Sequence, residues 1–459
     1  LRYLTRQSVW LPLPSFTRGM LTSSPSVAMA TISIDKPRSL VDERISIRVE
    51  NLPSNAPVTL RLNIKESYGS FSAFGHYMSD SSGCLSPDSS SSLGGTYTGV
   101  DSMGLFWSLL QDPAEKSGLR LLRREAEIPL RYQLTALPGH VTWEQLTNPE
   151  TEIKPFCSAN LERTYLADSV ERIPVRVGRL RGALFKPRSQ RSCPPVIDLF
   201  GTGGGLMEHR SALLAKEGFS VLALAYFNYE DLPDTIVEYD MDYFEEAVDF
   251  MLACPYSRLG PKGGVGLIGV SAGADIVANA AILFGDKIRA VAWLNGTPCR
   301  NFYQARYRGR LLPAQVTFNA SKIKQAAPNP LGIDLRECVQ PTRDQELPVE
   351  QASARFLFFS CLDDYSVSPE AGARLADRLV RAGRTDVERI AYPDAGHLLE
   401  PPISPCTALC YHGLLKVYMY YGGKPECHHR AQVDSWARMI RMFHEELGWR
   451  DDKRQVAKL

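Results

Sequence analysis

Gly269-Val270-Ser271-Ala272-Gly273 constrains what this chain can fold into more tightly than any other segment. A short apolar run, Val265-Gly266-Leu267-Ile268, leads into it, and a helix-compatible stretch from Ala274 to Ala281 follows. A Gly-x-Ser-x-Gly segment between strand and helix is the pattern of a nucleophile elbow. The turn strains the central serine, so the residues two before and two after it must be small. Gly269 and Gly273 meet that demand. The competing reading is a plain strand-to-helix turn; the flanking strand and helix favour the elbow.

From about residue 174 the chain alternates strand and helix patterns. Val175 and its neighbours with Leu180–Phe185 predict an opening hairpin. Strands then follow at 195–200, 219–226, 265–268, 288–294, 355–360 and 387–392, with helices from about 209 and at 239–252, 368–382 and 430–446. Repeated units of this kind imply a mostly parallel sheet covered on both faces, with the site at the carboxyl ends of its strands. Residues 297–352 form an irregular insertion. Before 168 the pattern is β-rich: Ile45–Val49, Val58–Ile64, Ile128–Leu134 and Arg163–Leu166 alternate as strands, around Ser/Gly-rich loops at 79–97. Short alternating strands pack naturally as two facing sheets.

A serine hydroxyl is a weak nucleophile until a base takes its proton, so a histidine and an orienting carboxylate should follow Ser271 in the order Ser, Asp or Glu, His. Of the five histidines after it, His397 alone lies just past a predicted strand, in Tyr392-Pro393-Asp394-Ala395-Gly396-His397. The acid should end the preceding strand, at Asp363 or Asp364. Side chains alternate, so only one of the two can face His397. Asp364 is preferred, Asp363 is the alternative that caps the turn, and Asp394 is a distant third. Donors for an oxyanion are expected from the backbone N–H of Ala272 and from the glycine loop Gly201-Thr202-Gly203-Gly204-Gly205, at Gly203 and Gly204. That loop lacks the lysine and spacing of a phosphate-binding P-loop.

Net charge is only +1, from 52 basic and 51 acidic residues, which argues against sequence-independent nucleic-acid binding. Apolar runs fall far short of the roughly 20 residues of a membrane span. The ten cysteines show no disulfide or zinc spacing. Cys406-x-x-x-Cys410 with Cys427-His428-His429 is a faint metal-like cluster that fits no common site, so no metal and no cofactor are expected. Residues 1–29 are acid-poor and contain Arg2, Arg6 and Arg18, as in an organellar transit segment, although an upstream extension fits equally. Residues 451–459 end in Ala457-Lys458-Leu459, one small residue away from a Ser-Lys-Leu peroxisomal address. The expected location is therefore the peroxisome, through its import receptor, with mitochondrial matrix or cytosol as alternatives.

Several further stretches carry a resemblance: Phe200–Leu206, Ala223–Pro233, Gly396-His397-Leu398-Leu399-Glu400-Pro401-Pro402, Ala431–Trp436 and Val175–Gly182. With the elbow, they resemble the type I acyl-CoA thioesterases and bile acid-CoA:amino acid N-acyltransferases, from about Ala30 onward. The resemblance implies an immunoglobulin-like sandwich over residues 30–168 and an α/β-hydrolase over 169–450. It implies the triad Ser271, Asp364 and His397, and an aspartate that is the second of two adjacent ones. Ala272 departs from the family, which often has lysine or leucine there, as does Tyr365-Ser366-Val367-Ser368; both put acyl-chain preference in doubt.

Hydrolysis of a fatty acyl-CoA to free acid and CoA is the leading expectation. Transfer of the acyl group to glycine or taurine is the alternative, and non-catalytic acyl-CoA binding is a third. By the resemblance, conjugating relatives carry cysteine at the elbow, and a thioester acyl-enzyme yields more readily to an amine than the oxygen ester of Ser271. Serine thus favours water as the acceptor.

Overall fold

The computed structural model describes residues 29–448 apart from 149, 237, 302, 303 and 314. Both expected addresses, the arginine-containing lead and the Ala457-Lys458-Leu459 tail, lie outside the described residues.

The chain adopts an α/β fold whose largest sheet has eight strands. Its order is Glu388–Tyr392, Arg355–Cys361, Ile288–Leu294, Val265–Val270, Pro195–Leu199, Ser220–Ala225, Leu180–Pro187 and Val170–Val177. The first six run parallel, and the expected hairpin closes the sheet antiparallel at one edge. Central strands are apolar on both faces because each face is covered. Along Val265–Val270, Val265 and Leu267 join one core while Ile268 and Val270 join another. The period of two in a strand sends alternate side chains to opposite layers.

Helices cover those layers where expected. His209–Lys216, Met241–Ala253 and Ala371–Arg381 match the sequence periods closely. In the last of these Ala371, Leu375, Ala376 and Leu379 form one buried stripe, the signature of an amphipathic helix. The final helix begins earlier than its pattern suggests, at Pro425, and runs to Leu447. A proline is tolerated in the first turn because its missing N–H would find no intrahelical acceptor there.

The first half is built on a six-stranded sheet, ordered Arg38–Leu40, Cys157–Thr164, Leu130–Pro138, Pro57–Glu66, Gly69–Met78 and Leu110–Gln111. A two-stranded ribbon, Thr31–Ile34 with Ile47–Glu50, accompanies it. The expected strand at 163–166 is displaced towards the N-terminus, and the ten-residue strand Gly69–Met78 has no counterpart in the sequence reading. Its Gly-Ser-Phe-Ser-Ala-Phe-Gly composition is poor in β-branched residues, so pairing with Pro57–Glu66 over its full length determines it. The 297–352 insertion holds short strands, of which Asn329–Asp334 pairs with Val417–Tyr420. That strand and Leu409–His412 make a hairpin the sequence reading passed over.

Candidate functional site

The elbow forms as its residues require. Val265–Val270 ends at Ser271, whose φ of 56° and ψ of −127° lie outside the ordinary regions, and the helix Ala272–Leu283 starts at once. A strained backbone of this kind costs about 1–3 kcal/mol and persists only where its surroundings enforce it. Here the enforcement is close approach. A Cβ on Gly269 would lie 2.3 Å from the Gly273 carbonyl oxygen, and one on Gly273 would lie 2.6 Å from that of Leu199. The Ser271 N–H donates to the Leu294 carbonyl at 2.9 Å, which fastens the turn to the neighbouring strand.

His397 and Asp364 meet in the interior. His397 Nδ1 lies 2.6 Å from Asp364 Oδ2, and the two residues are 2% and 0% exposed. The other carboxylate oxygen accepts the N–H groups of Ser366 at 2.7 Å and Val367 at 3.1 Å. These hydrogen bonds stand in for water around the buried Asp364 carboxylate. With Nδ1 committed to Asp364, Nε2 is the nitrogen left to accept a proton. Asp363 turns elsewhere, accepting the Gly423 N–H at 2.7 Å, and Asp394 pairs with Lys424 at 2.9 Å. Of the three aspartates considered, only Asp364 reaches the histidine.

The histidine loop is held from three sides by groups that sequence reasoning missed. The His397 ring stacks on Tyr421 with centroids 5.4 Å apart, and the His397 backbone N–H donates to the Tyr421 carbonyl at 2.8 Å. The Asn295 side chain donates to the His397 carbonyl at 2.7 Å and accepts from the Cys361 N–H at 2.8 Å, tying the loop to the acid strand. His428 accepts the Gly396 N–H on Nδ1 at 3.0 Å, so its Nε2 carries the proton given to the Leu398 carbonyl at 2.9 Å. Burial pushes the His428 pKa down to about 4, which keeps this brace neutral. An asparagine ending a strand and an aromatic before Gly-Gly were visible signals; their partners were not.

Ser271, Ala272 and His397 line one cavity of about 620 Å³. The N–H of Ala272, in the first turn of its helix, has no intrahelical acceptor and is free to meet an oxyanion. Gly201, Thr202 and Gly203 line the same cavity. Gly204 is engaged differently: a Cβ there would lie 2.6 Å from the Phe227 ring, and its carbonyl accepts from Arg124 at 3.0 Å. The loop's position is fixed partly by Thr202 Oγ1, 3.1 Å from Nε2 of His412 on the unexpected hairpin. The first half contributes residues 118–120, 122 and 124 to the wall. Within that wall Arg120 pairs with Glu400, whose second oxygen meets His209 Nε2 at 2.7 Å. Burial alone would raise the Glu400 pKa, but His209 and Arg120 hold it down at about 2.

Among the described residues no group of three or more His, Cys, Asp or Glu side chains could hold a metal ion. None of the described helices is long and apolar enough to cross a membrane.

Comparison with known proteins brings in the chain as a whole. Residues 42–177 match the acyl-CoA thioester hydrolase/BAAT N-terminal region, and 239–449 match the BAAT/acyl-CoA thioester hydrolase C-terminal model. Human acyl-coenzyme A thioesterase 2, mitochondrial, is 37% identical over 94% of this chain and 87% of its own length. Human acyl-coenzyme A thioesterase 1 is 38% identical over 89% of this chain and 94% of its own. Mouse acyl-coenzyme A thioesterase 6 is 36% identical, covering 91% and 97%. Identity at that level along most of both partners makes this chain a member of the acyl-CoA thioester hydrolase/BAAT family.

Proposed function

We propose that this chain hydrolyses fatty acyl-CoA to free fatty acid and CoA, with Ser271 as nucleophile, His397 as base and Asp364 as its orienting acid. The buried 2.6 Å contact between His397 and Asp364, in a cavity shared with the Ser271 elbow, carries the reading. Ser271 Oγ attacks the thioester carbonyl carbon as its proton passes to His397 Nε2. The oxyanion is met by the N–H of Ala272 and a second amide from the glycine loop, with Gly203 as the candidate that lines the cavity and Gly204 as the one that packs away from it. Collapse breaks the C–S bond, and the imidazolium protonates the leaving CoA thiolate. Water then attacks the acyl-Ser271 ester, gives its proton to His397, and frees the fatty acid and the serine.

The finer architecture belongs to the same reading. Residues 169–450 would be an α/β-hydrolase, supported by the parallel sheet and the elbow. Residues 30–168 would be an immunoglobulin-like sandwich, supported by a core that includes Ile47 and Val49 of the ribbon with Leu60 and Leu62 of the larger sheet. The family by itself does not fix a compartment, since one of the relatives is mitochondrial by name. Ala457-Lys458-Leu459 supports the peroxisome, which a reporter joined ahead of residues 451–459 would test by its location.

Incubation with palmitoyl-CoA, with and without taurine or glycine, tests the chemistry. Thiol and fatty acid should appear together whether or not the amine is present, and Ser271→Ala should abolish both. An amide product would overturn hydrolysis as the sole reaction, and thiol release undiminished in Ser271→Ala would overturn the nucleophile.

A further inference from the structure

The segment that supplies the first half's wall carries cations four residues apart: Arg120 and Arg124 line the cavity, and Lys116 precedes the wall in sequence. Only Arg120 is neutralised, by Glu400. Arg124 lines the cavity with Ser271, is half-buried, and has no carboxylate partner among the described residues. Its Nη1 donates to the Gly204 carbonyl at 3.0 Å, and a Cβ on Gly205 would stand 2.3 Å from that nitrogen. The glycine loop thus seats the guanidinium head without compensating its charge. Burial lowers the Arg124 pKa and the like charge of Arg120 lowers it further, against a smaller opposing pull from Glu125, which forms no ion pair with it. Taking a guanidinium out of water without an anion is unfavourable, so a site that keeps one is completed by an anion it binds. Lys116 stands at the rim: it is exposed, forms no ion pair among the described residues, and has its Nζ 5.6 Å from the ring of Tyr411, which lines the cavity.

We propose that Arg124, with Lys116 at the rim, forms the subsite for the phosphate groups of the CoA moiety. The inference rests on the acyl-CoA reading above and goes beyond it by naming the wall along which CoA lies. The planar fork of Arg124 suits bidentate contact with phosphate oxygens, and Lys116 adds a point charge beside Tyr411 at the rim. Binding here is uniform: it holds substrate and transition state alike, so its loss appears in KM.

The test compares palmitoyl-CoA with palmitoyl-pantetheine, which has the same thioester and no phosphate. In Arg124→Gln, KM for palmitoyl-CoA should rise about 10- to 100-fold, the loss of charge-assisted hydrogen bonds. The rise should be at least tenfold larger than that for palmitoyl-pantetheine. Lys116→Gln should show the same selectivity at about two- to fivefold, weakened by exposure and salt. Adenosine 3′,5′-bisphosphate should compete with palmitoyl-CoA in the unaltered protein and lose potency in Arg124→Lys, which preserves charge but not the fork. Equal KM changes for the two thioesters, or no competition by the bisphosphate, would overturn the subsite while leaving the hydrolase standing. Failure of the unaltered protein to cleave either thioester would take down both readings.

Discussion

Asn295 offers the most demanding check on how the site is held. It is 3% exposed, has a φ of 46°, and spends its side chain on two backbone groups, the His397 carbonyl and the Cys361 N–H. Asn295→Ala removes both partners at once. Each buried group left unsatisfied costs about 1–3 kcal/mol, and alanine in the left-handed region costs about 1 kcal/mol more. The expected destabilisation is roughly 3–7 kcal/mol, read from urea unfolding as a fall in midpoint at constant slope. The same change frees the histidine loop from the acid strand. Misplacement of a base by about 1 Å costs roughly 100-fold, so kcat for palmitoyl-CoA should fall by about that factor. Asn295→Asp separates the two bonds: it keeps an acceptor for Cys361 and sets a carboxylate against the His397 carbonyl. Activity should stay low in that variant even if part of the stability returns. A loss below about 1 kcal/mol with kcat within threefold would refute the bridging role.

Two further outcomes follow from the acids. Asp364→Asn should lower kcat by about 10⁴-fold, because an amide no longer enforces the histidine tautomer, whereas Asp363→Asn should cost about 1 kcal/mol of stability and leave most of the activity; the reverse pattern in thiol-release assays would exchange their roles. Glu400 has a folded pKa of about 2 against a usual 4.5, so its contribution is present above about pH 4.5 and lost as pH falls towards 2. Glu400→Gln should therefore be about 3 kcal/mol less stable at neutral pH, with a gap that closes on acidification through that window; a gap independent of pH in denaturation curves would sink the assignment.

The parts of the site legible in the sequence are those that local geometry dictates. The elbow needs Gly269 and Gly273 within two residues of Ser271, and strand ends place an acid and a histidine at the same edge of a parallel sheet. The choice between Asp363 and Asp364 was already at the limit, because it depends on Gly423 and His397 coming to opposite sides of one turn. The roles of Asn295, Tyr421 and His428 were illegible for a physical reason, even where the residue itself stood out: their partners are distant in sequence, as Asn295 is from His397 by 102 residues. The strand Gly69–Met78 and the hairpin Leu409–His412 with Val417–Tyr420 were missed because pairing, rather than composition, stabilises them. Within the glycine loop, composition could not tell Gly203, which lines the cavity, from Gly204, which packs on Phe227.

The cavity wall built from residues 118–124 has a bearing on how such a protein diversifies. The proposed nucleophile, base and acid all lie after residue 260, yet part of the wall of the cavity lined by Ser271 and His397 is contributed by a segment before residue 125. Exchange of the first half between two relatives would replace that surface and leave the bond-breaking groups unchanged. It would also need its counterpart to supply an arginine for Glu400, or that buried carboxylate would be left with His209 alone. Part of the cavity wall is thus written in a different stretch of the chain from the elbow and the buried His397–Asp364 pair, and Arg120–Glu400 and Asp42–Lys216 are ion pairs that an exchanged first half would have to supply again.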